Sequence, residues 1–191
     1  MSPPDLDARF CKNQPYQPFY CEENVWRLLQ NPALPEPGAA LFVTNPHHSV
    51  AVYGQRHATH DPLIWDYHVV LLLPRHGLVL DLDDREPGAR PLAAWLARAF
   101  RRTDPVHLQP HFRVVPAADF LRTFSSDRSH MRTAAGCLSQ PAPPWPAPFQ
   151  PHLGMNLLRF VDLKDPIAGT VVDAEGLLRL PADVSEAPPS L

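Results

Sequence analysis

The sequence is poor in cysteine. Three thiols, Cys11, Cys21 and Cys137, stand among 191 residues. So small and odd a number does not build a disulfide framework, and it points to a reducing compartment. Charge is scarce too: Asp, Glu, Lys and Arg make up 19% of the chain, and the formal net charge is −3. A nucleic-acid partner favours a clearly basic face. The one compact basic group, Arg98, Arg101 and Arg102, reads instead as the solvated face and end of one helix. Long apolar runs are missing, and even the all-aliphatic run at residues 69–73 is far too short to span a membrane. Residues 1–7 are polar and proline-bearing, unlike a signal peptide. There is no N-x-Ser/Thr acceptor and no internal repeat. The expectation is a soluble cytoplasmic protein, also compatible with the nucleus, with no nucleic-acid or membrane partner.

Proline is abundant, at 25 residues, and apolar residues reach 45%. The second figure supplies a core of one-domain size. The first implies long irregular stretches around it, because proline neither continues a helix nor serves a central strand. Residues 1–19 read as an irregular lead-in and residues 20–180 as a single catalytic domain. Within that domain, residues 133–151 form a proline-rich connector. Residues 181–191 are expected to be a disordered tail. A helix is predicted over 21–30, with Glu22 and Glu23 at its positive end and Val25, Leu28 and Leu29 on one face. Strands are predicted at 41–43, 50–53, 63–73, 77–82 and 112–115, with 63–73 and 77–82 forming a hairpin. Pro91 opens a helix carrying Leu92, Trp95, Leu96, Ala99 and Phe100. Residues 116–124 form a short helix, and 155–163 a short amphipathic segment. Residues 169–173 and 177–180 make a last strand pair, or a strand and a turn. The fold class expected is α+β (α/β), an antiparallel sheet packed against helices.

Two features carry chemistry. Cys21 starts a helix, where the dipole and free N–H groups lower a thiol pKa and hold an oxyanion; a small buried apolar cysteine is the alternative. Second, polar residues interrupt strong strands. Alternation puts Asp66 and His68 on one face of 63–73, and Asp81 and Asp83 on one face of 77–82. A connecting loop of two or four residues sets His68 on the same face as both aspartates, opposite one or the other. That is either a base with its orienting carboxylate or a structural His–Asp bond fixing a hairpin. Together, a helix-start thiol, a strand imidazole and a neighbouring carboxylate match the logic of Cys-His-Asp acyl chemistry. His47, His48, His57 and His60 match no compact zinc spacing and read as loop residues, so no metal is expected. The polar run 125–130 reads as a capped turn or as a pocket rim that includes Ser126 and Asp127.

Four words stand in order: Tyr20-Cys21-Glu22-Glu23-Asn24-Val25-Trp26, Ile64-Trp65-Asp66-Tyr67-His68-Val69-Val70, Asp81-Leu82-Asp83 and Phe124-Ser125-Ser126-Asp127-Arg128-Ser129-His130-Met131. With Met155-Asn156-Leu157 after a proline-rich span, they closely resemble the protein N-terminal glutamine amidohydrolase family, from about residue 16 to about 180. The resemblance implies a papain-like or transglutaminase-like cysteine hydrolase core. It implies conversion of a protein's N-terminal glutamine to glutamate with release of ammonia, feeding the N-degron pathway. It also implies Cys21 as nucleophile, His68 as base and Asp81 as third member, with no cofactor and a monomeric enzyme. Its substrates are proteins or peptides with a free N-terminal glutamine, so some group must read the α-ammonium; Glu22, Asp66 and Asp127 are the carboxylate candidates. Alternatives are a related peptidase or transglutaminase-like enzyme, or a non-catalytic adaptor presenting its proline-rich strap.

Overall fold

The computed structural model describes residues 6–180; the tail expected at 181–191 lies outside them. The lead-in, expected to be irregular, carries a short helix, α1 (Ala8–Lys12), because the Asp7 carboxylate accepts from the N–H groups of Arg9 and Phe10. Helix α2 (Cys21–Leu28) follows, and Cys21 is its first residue, as expected.

Six antiparallel strands form the main sheet: β1 (Ala39–Thr44), β4 (His68–Leu73), β5 (Leu78–Leu80), β6 (Arg90–Pro91), β7 (His111–Pro116) and β8 (Thr170–Val172), in the order β6-β5-β4-β1-β7-β8. β1 and β4 are buried along their whole length, so both faces of the sheet are covered. Alternation sorts the core. Leu41, Val43, Val70, Leu72 and Val114 pack towards α3 (Leu92–Ala99) and α6 (Ala174–Leu178). Ala40, Phe42, Val69 and Val115 pack towards α2, α4 (Ala117–Thr123) and α5 (Leu157–Val161). Phe42, Phe120, Phe124 and Phe160 make edge and stacked contacts there.

Proline marks helix starts. Pro91 and Pro116 occupy the N-cap positions of α3 and α4, each with φ −52°. Pro91 therefore sits one position before the first turn expected for it. The pair expected at the end is a strand and a helix: Asp173 caps α6 by accepting from the Gly176 N–H, which turns 177–180 away from strand geometry.

The largest departure is at 63–73. The chain breaks into β3 (Leu63–Trp65), paired with β2 (Val50–Val52) in a separate two-stranded sheet, and β4 in the main one. Asp66 causes the break locally. Its carboxylate accepts from the Tyr67 N–H, and its carbonyl accepts from the Thr44 hydroxyl. A short polar side chain thus offers the backbone an alternative to the ladder.

Arg113 of β7 is 1% exposed, and its guanidinium donates to the carbonyls of Phe160, Asp162, Asp165 and Ala168. It ties α5 and the following loop to the sheet. Arg113→Met leaves those carbonyls without their donor, and denaturant unfolding is expected to register a loss of about 3 kcal/mol or more.

Candidate active site

Cys21 is fully buried and opens onto a cavity of about 510 Å³, lined also by Phe19, Trp65, Asp66, Tyr67 and His130. The loop before it is clamped, since the Asn24 side chain both donates to the Gln17 carbonyl and accepts from the Gln17 N–H. Phe19 takes a left-handed backbone, φ 67°, beside the cavity; a bulky residue held there is strained, and such strain collects at functional sites.

The thiol differs from the expectation in its electrostatics. Burial, and after it the Glu22 carboxylate, push Cys21 well above the ordinary thiol value, while the Val69 N–H pulls the other way. Complete desolvation outweighs the helix dipole.

His68 begins β4, where its backbone pairs with Val43 of β1. The ring is 1% exposed and stacks on Trp65, with centroids 5.0 Å apart and an interplanar angle of 21°. In one continuous strand these residues would face opposite ways; the break at Asp66 is what brings them together. Nε2 lies 3.0 Å from Asp81 Oδ1. Nδ1 is buried and makes no hydrogen bond among the described residues, so it is the ring nitrogen left for proton transfer. The neighbouring Val69 N–H reaches the Cys21 sulfur, and the charge of Glu22 acts on both thiol and imidazole.

The connection between β4 and β5 is residues 74–77, the four-residue case anticipated. Its register, Leu71 opposite Leu80 and Leu72 opposite Val79, would set His68 opposite Asp83 if the ladder continued. It stops at Leu80. The Asp83 N–H turns back onto Asp81 Oδ1 at 2.9 Å, and this turn presents Asp81 to the imidazole. Gln55 donates to Asp81 Oδ2 at 3.0 Å. Asp83 instead accepts from the Tyr16 hydroxyl, which also meets His57 Nε2. His68, Asp81 and Asp83 present possible metal-ligand atoms within 4.8 Å of one another, but these hydrogen bonds already engage them.

The other residues singled out separate. Glu22 is buried, with Oε2 3.7 Å from Cys21 Sγ. Asp66 is exposed at the cavity rim. Asp127 is exposed and accepts from the Ser129 N–H. Ser126 is buried; its hydroxyl accepts from the Arg128 N–H and its own N–H donates to Pro148.

The sequence model of the N-terminal glutamine amidase family matches residues 16–180. The chain belongs to this family. Curated members named protein N-terminal glutamine amidohydrolase include a Homo sapiens protein, 36% identical with 81% of this chain and 80% of that one covered. A Bos taurus protein is 35% identical (81% and 79% covered), and one from Danio rerio is 35% identical (81% of each). Within this member of the amidase family, several site residues escaped sequence reasoning. Gln55 and Tyr16 lie far along the chain from the carboxylates they hold. Glu23 reads as a first-turn acid suited to the positive end of the helix, yet it is buried in a two-point pair with Arg128, both contacts 2.7 Å, and accepts from Trp145 Nε1. That bond fastens the proline-rich connector to α2. A charge run with an aromatic 122 residues away gives no sequence signal of such a pairing.

Burial opposes a charged His68, but Asp81 outweighs it and the imidazole titrates above its ordinary value. Burial likewise opposes a charged Asp81, and His68 outweighs it, so Asp81 titrates below its ordinary value. The His68 contribution to stability is full below about pH 6.5 and is lost as pH rises through the raised value. The Asp81 contribution is present above about pH 3.9 and is lost as pH falls through the lowered value. In Asp81→Asn only the burial penalty and weaker charges remain. NMR titration of His68 is expected to show its midpoint moving down from the wild-type position.

Proposed function

We propose that this protein deamidates the N-terminal glutamine of proteins and peptides, using Cys21 as nucleophile, His68 as base and acid, and Asp81 to orient and charge-balance the imidazole. The observation that carries the reading is the family match over residues 16–180, with all three residues inside it. The geometry supports the division of labour: Nε2 of His68 is committed to Asp81, and Nδ1 is free.

The steps follow from these positions. His68 takes the thiol proton as sulfur attacks the side-chain amide carbon, forming the C–S bond. First-turn N–H groups of a helix have no intrahelical acceptor, so those at the start of α2 face the developing oxyanion. His68 then gives its proton to the departing nitrogen, the C–N bond breaks, and ammonia leaves a thioester on Cys21. Water enters, His68 removes its proton, and collapse of the second tetrahedral species releases glutamate and restores the thiol. Every proton moved has a donor and an acceptor among these side chains and water, so the reaction needs no cofactor. A cysteine at a helix start, packed on an antiparallel sheet that carries the histidine, supports kinship with papain-like and transglutaminase-like cores. In the same reading the enzyme works as a monomer in the cytoplasm or nucleus and feeds the N-degron pathway.

Burial and the Glu22 carboxylate favour the neutral thiol, so attack needs an imidazole able to receive its proton. A peptide beginning with free glutamine is expected to release one ammonia per molecule and to end in glutamate, measured by coupled ammonia assay and mass spectrometry. Cys21→Ala is expected to lower kcat by about 10⁴-fold or more. Ammonia release by folded wild-type protein from internal or acetylated glutamine at the same rate would instead mark a transglutaminase-like or peptidase-like acyl-transfer enzyme.

A further inference from the structure

The mechanism above leaves one buried group without a task. Glu22 is wholly buried, yet its Oε1 makes no hydrogen bond among the described residues. The Tyr67 hydroxyl donates to Oε2 at 3.2 Å, and His130 Nε2 stands 3.5 Å from Oε1, beyond a hydrogen bond and an ion pair only when that imidazole is protonated. Cys21, Tyr67 and His130 all line the cavity, so the acid lies directly behind its wall, one side chain from the open space. A desolvated carboxylate with an open acceptor is costly unless a cation or donor completes it.

We propose that Glu22 is the receptor for the α-ammonium group of the substrate, and that docking of this cation releases Cys21 for attack. The inference rests on the deamidase reading for the identity of the side chain attacked. Reach is right: an extended glutamine spans about 5 Å from its α-nitrogen to its amide carbon. Glu22 Oε2 and Cys21 Sγ lie 3.7 Å apart, so one residue bridges both. The other carboxylates are spoken for. Glu23 is closed by Arg128 and Trp145, Asp127 caps Ser129 away from the cavity, and Asp66 is solvated at the rim.

The coupling follows from distance and burial. Glu22 is buried beside the sulfur, so its charge opposes formation of the Cys21 thiolate. An ammonium on Glu22 cancels that charge at the moment a substrate arrives. A chain whose amine is blocked brings no countercharge, so it is rejected in the chemical step as well as in binding. The thiol stays protected from stray electrophiles between turnovers for the same reason.

Two measurements test this. In a Cys21→Ala background, calorimetric binding of a glutamine-initiated peptide is expected to weaken about 100-fold on acetylation, and by a similar factor with Glu22→Gln. In protein with Cys21 intact, Glu22→Gln is expected to raise the iodoacetamide labelling rate of Cys21, followed by peptide mapping, at least about tenfold near neutral pH. Glu22→Asp keeps the charge, and it is expected to restore preference for the free amine and slow labelling; thermal melts of both variants check folding. Equal binding of free and acetylated peptide, or labelling unchanged by Glu22→Gln in folded protein, overturns the proposal even if glutamine is deamidated. Amine-dependent binding with no ammonia release from wild-type protein would overturn the deamidase reading and leave the receptor standing.

Discussion

The contact between His68 Nε2 and Asp81 Oδ1 is the interaction around which the centre of this protein is arranged. An imidazole and a carboxylate, 1% and 2% exposed, are tolerable in a core only because each neutralises the other. The surrounding groups keep that exchange in one geometry. Gln55 holds the second carboxylate oxygen, the Asp83 N–H holds the first, and Trp65 covers the imidazole ring. The contact also distinguishes the two ring nitrogens: Nε2 is engaged, and Nδ1 makes no hydrogen bond among the described residues.

Two adjacent acids at the start of α2 meet opposite fates. Glu23 is closed by a fork of Arg128 nitrogens and an indole N–H, and through Trp145 it anchors the connector. Ser125 and Gln150 stitch the same connector to the end of α4. Residues 139 and 140 of the connector then complete the cavity wall. One acid therefore anchors the wall of the site, and the other lies buried behind it, beside Cys21. A single turn of helix supplies the Cys21 thiol, the anchor of the connector and a charge that acts on that thiol.

The strand interruption at Asp66 deserves equal weight in physical terms. A continuous strand over 63–73 would have buried Asp66 beside His68 and turned Trp65 away from it. The break moves the aspartate to solvent, brings the indole onto the imidazole and lets β3 pair with β2. Periodicity could not reveal it, because strand-forming residues flank Asp66 on both sides; the competing bonds come from Asp66 itself and from Thr44, 22 residues away.

By itself the sequence determined the helix that starts at Cys21, the strong strands and the hairpin they make, and it set the condition, a loop of two or four residues, under which His68 shares a face with Asp81 and Asp83, since helix and strand periods are local properties of the chain. Its four ordered words also determined the family. Strand period left both aspartates open and the family words pointed to Asp81; tertiary structure supplies the physical reason, since extended register favours Asp83 and the turn that ends the ladder at Leu80 delivers Asp81 instead. Only tertiary structure decided the state of the thiol. A helix start lowers a thiol pKa when solvent or a cation is near, but complete burial beside Glu22 reverses the sign. Burial and long-range pairing are sums over residues distant in sequence, and no window of the chain contains them.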